Sequence, residues 1–452
     1  MQAYEDRERL NDLFREELNR YILTHPGSRE SHERALEPMV SGVPMIWMSK
    51  WPGPYPIYVE HAKGAHFTDV DGNMYTDFCL GDTGAMCGHA PESTVKAIQQ
   101  QIAKGSTFML PTEDSIVSAS ILAERFGMPK WQFSLSATDA NRHMLRYARH
   151  VTGRQKVAVH DYCYHGTVDE TFAVMDDDGN TVPRRDNVGK PIDLAETTVV
   201  IPFNDLEAAE RAFATGEVAA MLMEPALTNI GIVLPQPGYL EGMQELCRKY
   251  DVLWILDETH TISAGPGGMT RSLDLEPDAV VLGKTIGGGI PVGAYGMTNE
   301  LALRIASSMN LESIDVGGVG GTLAGNALSM AGVRATLENV LTPQAFTKME
   351  ELAKLWVENV QAVIDQFSLP WQVSRIGCRG EYSFRATAPA NGRQAADADD
   401  FELQQYLQIH AINRGILMTP FHNMALMSPF TDEEDVAHHH AHFREAVESL
   451  FS

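Results

Sequence analysis

Several features that mark whole classes of protein are scarce in this chain. Its five cysteines, Cys79, Cys87, Cys163, Cys247 and Cys378, include no Cys-x-x-Cys pair in 452 residues. That argues against a zinc ribbon or a disulfide scaffold and fits a reducing, cytoplasmic setting. No stretch approaches the roughly 20 apolar residues of a membrane span. The opening MQAYEDRERLNDLFREELNRYILTHPG lacks the apolar centre of a signal peptide. Positive charge is also sparse, with Lys+Arg 35 against Asp+Glu 60 and a formal net charge of −25. Nucleic-acid binding needs basic surface, so that class of partner is excluded. There is no internal repeat and no low-complexity segment. What remains is the composition of a soluble globular protein, 44% hydrophobic and 21% charged.

Leu10, Leu13, Phe14, Leu18, Tyr21 and Ile22 recur at helical spacing near the N-terminus. SGVPMIWMSKWPGPYPIYV, rich in proline and aromatics, follows as an irregular covering segment, and HFTDVDGNMYTDF reads as a hairpin turning at Asp71-Gly72. From about residue 90 the pattern alternates helices with continuous apolar runs: KVAVHD (156–161), TTVVIPF (197–203), VAAMLMEP (218–225), VLWILDE (252–258) and AVVLGK (279–284). Such runs suit strands covered on both faces, in a mainly parallel sheet flanked by helices. Beyond about residue 335, amphipathic helices and GEYSFRA indicate a smaller α+β domain. Near the C-terminus HHHAH (438–442) lies in a helix that Thr431 and Glu434 could open as a capping box. His438 and His442 share a face, but no carboxylate or third ligand accompanies them, so a solvated helix face is expected and no metal is assigned.

Three of the apolar runs end in ionisable residues: Glu224, Asp257 and Lys284. Ligands of open α/β sheets bind beyond the carboxyl ends of strands, so one crevice could gather all three. Lys284 stands in LGKTIGGGIPVGAYG, which superficially resembles a phosphate loop. The preceding residues Ala279, Val280, Val281 and Leu282 form a buried strand instead of the flexible glycine cradle a P-loop needs, and this excludes nucleotide binding here. Burial disfavours a lysine's ammonium form and so favours the neutral amine that Schiff-base chemistry requires. Asp257 lies 284 − 257 = 27 residues upstream, room for a loop, a helix and the next strand. A carboxylate so placed could pair with a pyridinium nitrogen, or simply with the lysine as an ion pair.

LDETHT (256–261) followed by LGKTIGGGIPVGAYG (282–296) resembles the class III aminotransferases among the fold-type I pyridoxal phosphate enzymes, in particular the glutamate-1-semialdehyde aminomutase-like branch. The resemblance runs from DVDGNMYTDF at 69 to GTLAGNALSMAG at 321–332. It implies an N-terminal helix and covering segment over 1–65, and a large cofactor-binding domain over 66–335 with a mainly parallel seven-stranded sheet flanked by helices. A small α+β domain over 336–452 completes the expected architecture. Lys284 would hold pyridoxal 5'-phosphate as a Schiff base, with Asp257 on its ring nitrogen. SLSATDAN (134–141) matches the family's phosphate turn, usually Asn-Ser-Gly-Thr-Glu-Ala, so Ser136, Ala137 and Thr138 would bind phosphate at a helix N-terminus. In CYHG, Tyr164 would stack on the ring beside His165. Glu224 would lie near the phenolic side, Thr259 against the ring's other face, and His260 within reach of the phenolic oxygen. GGTLAGN (320–326) matches a segment that crosses to the neighbouring subunit, so Thr322 would complete the partner's site in a homodimer.

The substrate side departs from the family. Where the aminomutases carry an arginine for the substrate carboxylate, SGVPMIWMSKW (41–51) has none and offers Trp47 and Met48. MTPFHNMALMSPF (418–430) puts Phe421 and His422 where related transaminases place another arginine, and Asp82 lies near the expected entrance. Arg142, Arg375 and Arg379 remain as other carboxylate binders. The loss of bidentate grips leads to the expectation of a ping-pong aminotransferase moving an amino group from a bulky or apolar amine donor to a keto-acid acceptor. The alternatives are an intramolecular 2,1-aminomutase and a cofactor-binding homologue without turnover.

Overall fold

A computed structural model describes residues 4–185, 187–189, 193–309 and 315–451. The chain forms two compact units. One comprises Met1–Pro91, Gln344–Ala388 and Asp397–Ser452; the other comprises Glu92–Pro343 and Pro389–Ala396. Residues 66–91, expected with the large domain, belong to the first of these units.

The second unit is built on a seven-stranded sheet. In chain order its strands are β1 (Lys130–Ser134), β2 (Lys156–His160), β3 (Thr198–Ile201), β4 (Val218–Met223), β5 (Leu253–Asp257), β6 (Ala279–Leu282) and β7 (Gly293–Met297). Their order across the sheet is β1-β7-β6-β5-β4-β2-β3. β7 runs antiparallel to both neighbours, and the other pairings are parallel. Every residue of β4, β5, β6 and β7 is buried. This is why three of these strands show unbroken apolar runs instead of alternation. Each fully covered Val, Leu or Ile there contributes about 1.5–3 kcal/mol of transfer free energy.

β1 and β7 were not visible in the hydropathy pattern. β7 reads GAYGM, and its glycines are dictated by its neighbours: a Cβ at Gly293 would lie 2.2 Å from the Ser136 carbonyl oxygen, and one at Gly296 would lie 2.6 Å from the Trp131 ring. Close approach, and not strand propensity, chose the residues.

The first unit holds the expected hairpin, His66–Asp69 antiparallel to Met74–Asp77 with Gly72 at φ +85°, extended by Val59–Lys63 and by Ile416–Leu417. A second sheet joins Gln372–Ile376, Arg379–Ser383 and Met424–Leu426. The expected N-terminal helix spans Arg7–Thr24. The C-terminal helix, Glu433–Leu450, is capped by Asp432 with Asp435 and not by Thr431 with Glu434. Nor is its histidine run wholly solvated. His438 contacts the Arg414 carbonyl and His442 contacts Glu445, but His439 turns inward, stacked on Phe443 and edge-on to Phe78. The helix faces alternate too quickly for five consecutive positions to share solvent.

All five cysteines are buried thiols outside any disulfide. Among the described residues no helix is long and apolar enough to cross a membrane.

His160, His410 and His439 are all buried and held neutral to a pKa of about 3, chiefly by burial. Arg414 adds to this at His410, and the neighbouring histidines add to it at His439. In the unfolded chain a histidine titrates near 6.5. Between those values the unfolded state binds more protons, so stability is complete above about pH 6.5 and declines as pH falls toward 3. The expected slope approaches about 1.4 kcal/mol per pH unit for each histidine. Denaturant midpoints measured across this range should show that decline, and His439→Phe should remove one proton from the slope.

Candidate active site

Parallel register sets the three ionisable strand ends at one edge of the sheet. Leu256 pairs with Met223 and Asp257 with Val281, so Glu224 and Asp257 leave the sheet at the same level and Lys284 follows three residues past Val281. The Glu258 amide still bonds the Val281 carbonyl at 2.9 Å. Beyond this point the backbone bends sharply. Lys284 adopts φ +52°, a left-handed conformation that costs a non-glycine residue about 1–3 kcal/mol and concentrates at functional sites. At Gly283 a Cβ would sit 2.8 Å from the Ala137 Cβ, so only glycine lets the lysine turn pass the start of helix Ala137–Thr152. Lys284 Nζ lies 2.7 Å from His260 Nε2, which therefore meets the lysine nitrogen itself.

Asp257 is buried, and burial alone would raise its pKa. Donors outweigh that cost. His165 Nδ1 approaches Oδ2 at 2.9 Å, Asn141 Nδ2 donates to Oδ2 at 2.8 Å, and the Thr259 amide donates to Oδ1 at 3.1 Å. Together they hold the carboxyl at about 2, ionised at any physiological pH. For His165, burial opposes the charge, but Cys163 and Asp257 raise its pKa above the ordinary value. The next residue, Glu258, points away and is enclosed by Thr261, by the hydroxyl and amide of Thr270, and by the Met269 amide. That enclosure pins the strand end carrying Asp257. Thr259 is buried as well.

The turn at 134–141 opens helix Ala137–Thr152. Ser136 is the N-cap, its Oγ accepting the Asp139 amide at 3.2 Å and donating to Asp139 Oδ2 at 3.0 Å. Ala137 stands where glycine is usual in the family, yet it is not among the left-handed residues, so its Cβ introduces no strain. The amides of the first helical turn have no intrahelical acceptor and mark the positive end of the helix dipole, which suits a phosphate. Thr138 Oγ1 accepts the Thr167 amide at 3.1 Å, tying this turn to the segment that carries Tyr164 and His165. Tyr164 is half-buried, 6.4 Å edge-on from Phe172. Glu224 is buried and accepts the Thr228 hydroxyl. Thr322 is exposed.

Trp47, Met48, Asp82, Phe421 and His422 all belong to the first unit. Trp47 and Phe421, both partly exposed, meet edge-on at 5.9 Å. Asp82 lies in a left-handed run with Leu80, Gly81 and Thr83. His422 is buried with Nδ1 3.1 Å from Glu381; burial opposes its charge, but Glu381 and then Asp82 raise its pKa. Arg379 is fully buried and donates to the Thr83 hydroxyl. Arg142 and Arg375 are surface groups bonded to the carbonyls of Thr167 and Gly377. Two participants escaped the sequence reading. Glu381 carries no motif. Asn141, one helical turn beyond Ala137, could have been found by asking which residue shares the face of the phosphate turn.

Gly166, at φ +74°, faces Thr138, and a Cβ there would lie 2.0 Å from Thr138 Oγ1. Gly166→Ala should therefore lower the denaturant midpoint by the equivalent of about 1–3 kcal/mol and weaken phosphate-bearing ligands, as read by equilibrium dialysis.

The donor set matches one kind of group. A helix N-terminus accepts a dianion, an ionised buried acid accepts a ring N–H, and a lysine nitrogen follows the end of the strand next to that acid's own. The model for aminotransferase class-III matches residues 47–447. A glutamate-1-semialdehyde-aminomutase from Pseudomonas aeruginosa is 45% identical, with TM-score 0.96 over 98% of this chain and 99% of that one. A variant of that enzyme is described in complex with PMP. The glutamate-1-semialdehyde 2,1-aminomutase of Anaeromyxobacter dehalogenans is 35% identical over 72% of this chain and 75% of its own. Glutamate-1-semialdehyde 2,1-aminomutase 2 of Brevibacillus brevis is 31% identical over 95% and 96%. These relatives overturn the expectation of intermolecular transamination of a bulky or apolar amine, because the relatives at 31–45% identity are aminomutases, whereas an omega-transaminase from Sphaerobacter thermophilus that matches over 95% of this chain is only 27% identical. That expectation had rested on the arginine missing from 41–51, a single local absence. The chain belongs to the class III aminotransferases, fold-type I enzymes whose cofactor is pyridoxal phosphate.

Proposed function

We propose that this protein moves an amino group between adjacent carbons of one small molecule, the reaction of a glutamate-1-semialdehyde 2,1-aminomutase. The observation that carries this is the 45% identity, along 98% of the chain, to an aminomutase from Pseudomonas aeruginosa. The strand-end chemistry agrees with it. Pyridoxal phosphate, when bound, supplies an electron sink that acidifies the carbon bearing the nitrogen. Every other task falls to residues of this chain.

Lys284 would hold the cofactor and, when its nitrogen is free, would take and return the proton at each of the two carbons in turn. His260, 2.7 Å from its nitrogen, steadies that amine between transfers. Asp257 keeps the ring nitrogen protonated because its own charge is secured by three donors. Ser136, Ala137 and Thr138 would receive the phosphate, Tyr164 would hold the ring, and Thr259 and Glu224 would lie beside it. Trp47, Met48, Asp82, Phe421 and His422 supply substrate contacts.

The working form is a homodimer. Phe108, Met109 and Leu110 are exposed, as are Thr322 and Leu323, and the two stretches are linked by the Ala327 amide bonding the Ser106 carbonyl at 2.9 Å. A second copy would cover this apolar surface and receive Thr322 at its phosphate. Five buried thiols outside any disulfide are in keeping with a reducing, cytoplasmic compartment.

Glutamate 1-semialdehyde added without any keto acid should be converted continuously to 5-amino-4-oxopentanoate, measured by product formation over many turnovers. A strict requirement for one equivalent of keto acid per product would overturn the assignment. Lys284→Ala should lose at least about 10²–10⁴-fold in rate, the contribution of a positioned acid–base group. Borohydride reduction of the wild-type protein should label Lys284.

A further inference from the structure

Asn141 is one of the three donors to Asp257, and it is completely buried beside that acid. Its amide nitrogen donates to Asp257 Oδ2 at 2.8 Å and to the His165 carbonyl at 3.2 Å. Both partners are acceptors only, so a flipped amide would set oxygen against two oxygens; the chemistry determines the orientation. Its own carbonyl oxygen is left buried without a partner among the described residues. A residue serving only to fill space would not carry that orphaned acceptor, which costs about 1–3 kcal/mol. The donors are what the position requires.

The distribution of donors on Asp257 is uneven. Oδ2 meets both Asn141 and His165, one for each lone pair, whereas Oδ1 meets Thr259. A carboxylate held by a single donor can swing about its terminal bond, which leaves the plane of the group unfixed. Two donors from different elements on the same oxygen prevent this. Asn141 also joins the parts that must agree in position. It lies on the helix whose N-terminus is the phosphate turn, it bonds the backbone of the segment carrying Tyr164, and it bonds the acid at the strand end.

We propose that Asn141 is a positioning residue: with His165 it saturates Asp257 Oδ2 and so leaves Oδ1 as the acceptor of the cofactor's ring N–H. This rests on the cofactor site proposed above. Asn141 touches neither substrate nor ring; it acts through Asp257.

The test uses the holoenzyme and two variants. Asn141→Leu keeps the volume and removes the donors. Asn141→Asp is nearly isosteric and turns a donor into a carboxyl facing Asp257. In both, the dissociation constant for pyridoxal phosphate should rise about tenfold to a hundredfold, as expected for losing a hydrogen bond to a charged group. The apparent pKa of the bound cofactor's visible band should rise too, because a ring nitrogen less firmly protonated withdraws less charge from the nitrogen of Lys284. A purely structural role would lower the melting temperature without moving that band. Wild-type affinity with an unshifted band in both variants would overturn the proposal. Should leucine prevent folding, the near-isosteric Asn141→Asp decides alone. Borohydride mapping separates the two levels. Labelling of Lys284 in wild type and variants alike, with unchanged affinity, removes only the role of Asn141. No label at Lys284 in wild type removes the cofactor site itself.

Discussion

Keeping a carboxylate ionised at the end of a strand buried on both faces costs several kcal/mol unless donors replace the water it has lost. Asp257 meets that condition with groups from three places: Asn141 on the helix Ala137–Thr152, His165 on the segment after β2, and the Thr259 amide just beyond β5. None of the three is a neighbour of the others in the chain except through the folded sheet. The charge and the fold therefore depend on one another. Moving any of these elements strands a buried anion, and neutralising the anion removes what holds them together.

The same crowding explains the backbone around Lys284. The lysine turn, the start of the helix and β7 converge so closely that side chains are excluded at Gly283 and Gly293, and Gly166 is pressed against Thr138 in the same way. The left-handed conformation of Lys284 is tolerated because buried neighbours on both sides, Leu282 and Thr285, anchor it. Strain at the reactive residue is balanced by ordinary packing within two residues on either side.

How legible this was depends on what each residue answers to. β2, β3, β4, β5 and β6 answer to burial on both faces, which leaves an apolar run anyone can read, and all five appear within a few residues of their expected bounds. β1 and β7 answer to neighbours remote in sequence, so their composition looked like loop. The histidine run was readable as helix, but not that His439 turns into the aromatic cluster of Phe78 and Phe443. The absence of arginine from 41–51 was visible in the sequence, whereas the burial of Arg379 was not.

Sequence alone determined the chemistry in outline: a lysine and an acid at the ends of apolar runs, a capped helix start for an anion, and a motif order that marks the family. Those features are local, because a residue's type and its period along the chain already encode burial and capping. Tertiary structure decided which oxygen of Asp257 is occupied, which side chains keep it charged, and which glycines could be nothing else. These depend on distances of a few ångströms between segments more than a hundred residues apart, such as Asn141 and Asp257 with 116 residues between their positions. No pattern along a single chain records such a distance.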